Sequence, residues 1–174
     1  MRRLPATLWD TTRTGRRARK EGDMSGLYYE EFAVGRRFEH KIHRTVTETD
    51  NLLFSALTMN PAALHLDAEY MKDTAYGKPL VNSVFTLGLM VGISIYDTTF
   101  GTTVANLGWE DVRFPKPVFV GDTLRIETTV LGMRESQSRQ DTGIVTLEHR
   151  AFNQRNEEVA SCRRVALMLK RPAT

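Results

Sequence analysis

The sequence predicts an α+β domain in which one long helix is covered by an antiparallel β-sheet, and three observations predict it. Residues 82–97 set Val84, Leu87, Met90, Val91 and Ile95 three and four apart, the apolar stripe of a helix packed on one side. Segments at about 104–115, 122–135, 143–153 and 158–170 read as strands, and in the second of them Leu124, Ile126, Thr128 and Val130 alternate with Arg125, Glu127 and Thr129. Turns at Gly121-Asp122 and from Asn153 to Glu157 punctuate antiparallel neighbours.

Taken in order, a strand near 37–46 opens the domain. A helix near 48–58 follows, because Thr47 or Thr49 can accept the free amide hydrogens of its first turn and Pro61 lies just beyond its end. Asp50, within that first turn, is read as structural. A second, short helix is expected near 67–73. Between the two, the segment Asn60-Pro61-Ala62-Ala63-Leu64-His65-Leu66-Asp67 presents His65 from a short loop. In the long helix, Gly88 and Gly92 lie four apart and are read as points of close approach to the sheet or to a partner helix.

A neutral imidazole can take a proton from water and return it to a leaving hydroxide, so a positioned histidine is a candidate general base. The competing reading is a half-buried histidine beside a helix-capping Asp67. Composition excludes little else. The chain has 174 residues, 41% hydrophobic and 26% charged, which suits one compact domain. Its net charge of +3 is concentrated at the front. Residues 1–23 hold seven Lys or Arg against three acids, leaving seventeen against eighteen in residues 24–174, so the folded part is not read as a nucleic-acid binder. Residues 1–23 are read as a disordered basic extension, with Met24 as the favoured start; a basic arm or a targeting peptide are the alternatives.

The longest apolar run, Val84 to Tyr96, is shorter than the roughly 20 residues of a membrane span, so no membrane association is expected. The single cysteine, Cys162, excludes an internal disulfide and fits a cytoplasmic protein. It lies in a predicted strand without a neighbouring histidine and is not read as a catalytic thiol. His40, His43 and His149 show no metal-ligand spacing, and no metal is expected.

The stretch from Phe54 to Tyr70 resembles the hydratase signature of the MaoC-like dehydratases, the (R)-type enoyl-CoA hydratases. That signature usually runs aromatic, small residues, Gly-Asp-x-Asn-Pro-Leu-His-x-Asp, with the first aspartate and the histidine as the catalytic pair. Aligned on His65, this chain has Met59 for the glycine, Asn60 for the catalytic aspartate and Ala62-Ala63 for Asn-Pro. The form Leu-Thr-Met-Asn before Leu-His-x-Asp resembles the branch hydrating C5 dicarboxylic enoyl thioesters, mesaconyl-CoA hydratase (methylmalyl-CoA dehydratase). Similarity continues through Gly77 to Ser83, Asn106 to Trp109, Val112 to Pro115, Pro117 to Leu124 and Asn153 to Arg155, so it covers about residues 27–170.

The resemblance implies a single hot-dog domain over 24–174 that dimerises, or forms a higher homo-oligomer, with the active site at the subunit interface. It implies addition or removal of water at the double bond of an acyl-CoA thioester, with His65 and Asn60 as the catalytic positions. Asn82 and Ser83, at the start of the long helix, would direct backbone amides at the thioester carbonyl, and their competing role is a helix cap. Asp67 is a supporting candidate for fixing the imidazole. An amide cannot exchange protons as a carboxylate does, so Asn60 would orient water. No cofactor is implied beyond the coenzyme A of the substrate. Lys78 or Arg113 are candidates for a distal carboxylate, and Arg134, Arg139 and Arg150 for CoA phosphates. Two alternatives stand beside this reading, an acyl-CoA thioesterase and a non-catalytic acyl-CoA binding protein.

Overall fold

The computed structural model describes residues 26–172; the expected basic extension over 1–23 and the Met24 start lie outside the described residues. A single 3-10 turn at Tyr29–Glu31 leads into two short strands, β1 (Arg37–Glu39) and β2 (Arg44–Thr45). Helices α1 (Glu48–Leu57), α2 (Ala63–Leu66), α3 (Ala68–Lys72) and α4 (Ser83–Thr98) follow. Four long strands complete the domain: β3 (Thr103–Arg113), β4 (Thr123–Glu135), β5 (Thr142–Phe152) and β6 (Glu158–Leu169).

The sheet runs β1-β4-β5-β6-β3 with every neighbour antiparallel, and β2 also pairs with β4. α4 packs against β4, β5 and β6, so the α+β arrangement of a long helix wrapped by an antiparallel sheet is the one observed. α4 and the four long strands lie within two residues of their expected bounds.

Three expectations are corrected. The strand read over 37–46 is broken, because His40 is drawn into the interior while Lys41, Ile42 and His43 stay exposed. His40 and His43 therefore lie in the break between β1 and β2. Gly121-Asp122 does not join neighbouring strands: β3 ends at the far edge beside β6, and residues 114–122 cross to β4. Pro115 and Pro117 lack the amide hydrogens a continuing ladder needs, which ends pairing there. Lastly, a Cβ built on Gly88 or Gly92 meets nothing within 4 Å, so these glycines are not needed for approach to the chain's own sheet.

The core has two apolar clusters. One joins Val46, Val81, Met90, Ile93, Leu124 and Ile126 with Ala151, Val159 and Cys162; the other joins Leu27, Phe32, Val130, Val145, Leu147 and Met168. A polar row separates them along the strands, at Thr128 between Ile126 and Val130, at His149 between Leu147 and Ala151, and at Arg164 between Cys162 and Ala166. Thr128 Oγ1 lies 2.8 Å from His40 Nε2 and 2.9 Å from His149 Nδ1, and His40 Nδ1 lies 2.8 Å from Asp97 Oδ2. Burial, then the charges of Arg164 and His40, push the His149 imidazole down to about 3. Among the described residues, no helix is long and apolar enough to cross a membrane.

Candidate active site

The site is assembled from the chain between residues 47 and 86 and closed by the crossing segment 114–118. Its foundation is the start of α1. Thr47 Oγ1 accepts the Asp50 amide at 3.2 Å while Asp50 Oδ2 accepts the Thr47 amide at 2.8 Å, a reciprocal cap with Asp50 in the structural role expected of it. Arg44 Nη2 clamps both Asp50 oxygens at 2.8 and 3.0 Å.

α1 stops by a defined device. The Met59 amide donates to Ala56 O at 3.1 Å and the Asn60 amide to Ser55 O at 2.9 Å, the paired bonds of a Schellman termination. Met59 takes the left-handed conformation that this requires, with φ 53°. Asn60 then starts the next turn, its Oδ1 accepting the Ala62 amide at 3.1 Å.

His65 lies on α2, a single helical turn in place of the expected loop. Its Nδ1 is 2.9 Å from the carbonyl oxygen of Leu80. A carbonyl only accepts, so Nδ1 carries the proton and Nε2 keeps a lone pair. The expected supporting role of Asp67 is not the one found. Asp67 ends α2 and caps α3, accepting the Tyr70 amide at 2.9 Å, and Leu80 O is what holds the imidazole.

The N-terminus of α4 closes the opposite side. Asn82 is buried and caps the helix, its Oδ1 accepting the Val84 amide at 3.0 Å, and its own amide donates to Asn51 Oδ1 at 2.9 Å. The Asn82 amide is therefore not available to a ligand, contrary to expectation. The Ser83 amide has no acceptor among the described residues and sits at the positive end of a sixteen-residue helix.

His65 and Ser83 line one cavity of about 210 Å³, together with Leu64, Tyr76, Leu80 and Val81 from their part of the chain and Phe114, Pro115, Lys116, Pro117 and Val118 from the crossing segment. Asn60 and Asp67 are not among its lining residues. The two sides meet where Leu80 bridges Phe119 and the Val81 amide donates to Val118 O at 2.9 Å. A free imidazole nitrogen, a free helix-terminal amide and a lysine thus share one half-open cavity. Such a set can move a proton and stabilise an oxyanion.

The sequence profile of the MaoC like domain matches residues 31–152. The chain belongs to the MaoC-like family. It is 33% identical to a mesaconyl-CoA hydratase of Cereibacter sphaeroides over 84% of this chain and 42% of that protein. The chain thus spans less than half the length of that relative. It is also 34% identical to an (R)-specific enoyl-CoA hydratase of Aeromonas caviae over 58% of this chain and 70% of that protein. A conserved hypothetical protein of Mycobacterium tuberculosis with a double hot-dog fold superposes with a TM-score of 0.77 at 24% identity, covering 86% of this chain and 46% of that one. The MaoC-like chain therefore has the hot-dog fold.

The other predicted cations do not line the cavity. Arg139 pairs with Asp141 at 2.6 Å and Arg150 with Glu158. Lys78 Nζ lies 4.5 Å from the Phe119 ring centroid, and Arg113, like Arg134, is on the exposed surface. Among the described residues Lys116 is the cation that lines the cavity, with its side chain half exposed and its Nζ paired with Glu157 at 2.6 Å; local sequence pattern does not reveal it because the crossing segment has no periodicity. Burial pushes the Cys162 thiol up to about 12, which removes it from nucleophilic chemistry.

Proposed function

We propose that this MaoC-like protein is a hydratase/dehydratase that adds or removes water at the double bond of an enoyl-CoA thioester. The observation that carries the proposal is the His65 Nδ1 bond to Leu80 O, which leaves Nε2 as proton acceptor on a residue that lines the same cavity as Ser83, whose backbone amide is free. In the hydration direction Nε2 takes a proton from water as the oxygen adds to Cβ. The electron pair passes to the thioester oxygen, which the Ser83 amide and the α4 dipole stabilise as an enolate. The proton held on His65 then returns to Cα. Asn60 lies outside the cavity lining, and its part is to hold the turn that leads to His65, with Oδ1 accepting the Ala62 amide. The reaction is redox-neutral and requires no cofactor beyond the coenzyme A of its substrate.

The names and identities of the two hydratases support this class. The finer reading, a C5 dicarboxylic substrate such as mesaconyl-CoA, draws on the Cereibacter relative and on Lys116, a cation on the cavity wall able to meet a distal carboxylate.

The partner of this domain is a second copy of the chain. β3 is a free edge in the described sheet and carries exposed Val104, Leu107, Trp109 and Val112. On α4, Val84, Gly88, Gly92 and Tyr96 form one exposed stripe four residues apart, with open space over both glycines. Edge pairing of β3 with packing of α4 on its counterpart covers both, in keeping with the doubled fold of the Mycobacterium protein. A mass of twice 19.8 kDa by light scattering supports the pair, and a monomer at micromolar concentration removes it.

The activity test follows the enoyl absorbance of crotonyl-CoA and mesaconyl-CoA with a thiol reagent in parallel. Loss of absorbance without thiol release supports the hydratase. Thiol release indicates a thioesterase, and silence in both a binding protein.

A further inference from the structure

We infer that Asn51, on α1, is the positioning residue that sets the base against the oxyanion donor. The inference rests on the reading of His65 as the base. Asn51 is 2% exposed, and burying a primary amide is unfavourable unless its polar atoms are bonded. Both are. Nδ2 donates to His65 O at 2.9 Å and to Leu80 O at 3.2 Å, and Oδ1 accepts the Asn82 amide at 2.9 Å.

These three contacts join three separate pieces of chain. The first fixes the backbone that carries the imidazole. The second fixes the carbonyl that already accepts the imidazole proton, so that both lone pairs of Leu80 O are used, one by Asn51 and one by His65. The third fixes the residue immediately before Ser83, whose amide is the oxyanion donor. One side chain therefore determines both the tautomer of the base and its separation from the donor. A carboxylate of the same shape retains the acceptor for Asn82 and loses both donors. It sets negative oxygens against two carbonyls, so the imidazole loses its anchor while the N-terminus of α4 keeps its own. Displacement of a reacting group by about 1 Å is enough to lower a rate by roughly 10²-fold.

The test compares Asn51→Asp and Asn51→Ser with wild type and with His65→Ala, well below the melting temperature of each protein. The expected result is a kcat lowered about 10²-fold with KM changed less than threefold in folded Asn51→Asp. Asn51→Ser, a neutral side chain able to donate one bond, should recover part of that loss. The nitrogen NMR spectrum of labelled histidine, with the His65 signals identified by their absence in His65→Ala, should show the Nδ1-protonated tautomer in wild type and its loss in Asn51→Asp. A folded Asn51→Asp with kcat within threefold of wild type, or with the wild-type tautomer retained, overturns the inference. Full activity in His65→Ala overturns instead the reading on which it rests.

Discussion

The imidazole Nδ1 of His65 donates to the carbonyl oxygen of Leu80 at 2.9 Å, a contact between residues fifteen apart. Because the acceptor is a backbone atom, no side-chain substitution at position 80 abolishes it directly. Removing the imidazole itself is the direct test. His65→Ala is expected to lower kcat by about 10³-fold, in the range of positioned general acid–base groups, while retaining CoA binding and the fold. Stopped-flow enoyl absorbance together with CoA titration checks it; unchanged turnover removes His65 from the mechanism.

Asn60 stands where the family signature has an acid. Asn60→Asp keeps an acceptor for the Ala62 amide, so the turn is preserved, and adds a group able to exchange protons. Because residue 60 lies outside the cavity lining, hydration of crotonyl-CoA should stay within threefold of wild type in this variant, whereas Asn60→Ala, which loses the bond holding the turn before α2, should be about tenfold slower. Equal rates in all three proteins mean that residue 60 takes no part.

Lys116 lines the cavity and also pairs with Glu157 at 2.6 Å. A charge-assisted bond to a carboxylate contributes about 1.5–3 kcal/mol, roughly 10- to 10²-fold in binding. Lys116→Met should therefore lower kcat/KM at least tenfold for mesaconyl-CoA and leave crotonyl-CoA within twofold. A parallel loss for both substrates assigns the lysine to coenzyme A instead.

Met59 is 88% exposed and has a left-handed backbone, with φ 53°. Glycine adopts that conformation without the Cβ penalty of about 1 kcal/mol, part of which its greater freedom in the unfolded chain cancels. Met59→Gly should raise stability by a few tenths of a kcal/mol and Met59→Val should lower it, as denaturant midpoints will report.

His149 is held neutral, its imidazole depressed from 6.5 to about 3 chiefly by burial. The unfolded chain binds this proton first. The stabilisation is therefore complete above about pH 6.5 and is lost as pH falls toward 3, at close to 1.4 kcal/mol per unit between those values. Between pH 6.5 and 5, above the range of ordinary carboxylates, His149→Gln should flatten the stability profile relative to wild type. Parallel profiles exclude His149 as its cause.

Much of this architecture is written in local pattern. The helical spacing of α4 and the strand character of the later segments place helix and sheet within two residues, but α4 buries Thr86, Met90, Ile93 and Ser94, and of the expected stripe only Met90 is buried while Val84 is 59% exposed. His65 is visible because its neighbours form a contiguous signature. Asn51 is not, since its partners are 14, 29 and 31 residues away and two of its three bonds are to backbone carbonyls that leave no mark on the sequence. The free Ser83 amide and the occupied Asn82 amide are likewise indistinguishable until the fold brings Asn51 beside one of them. The edge position of β3 also escapes local reading, because a chain that crosses the molecule between residues 114 and 122 uses the same turn residues as a hairpin.

Leu80 is where the two sides of the cavity are fastened, by its bridge to Phe119, and the same residue's carbonyl anchors the imidazole. Room for a larger acyl group has to come partly from the segment Phe114 to Val118, which is tethered one residue away from that anchor. Under the proposed hydratase function, chain-length preference and turnover are consequently geared to each other. Variants selected to admit bulkier thioesters through this wall will tend to be slower catalysts, and compensating changes will be found around the fastening and not in the chemistry.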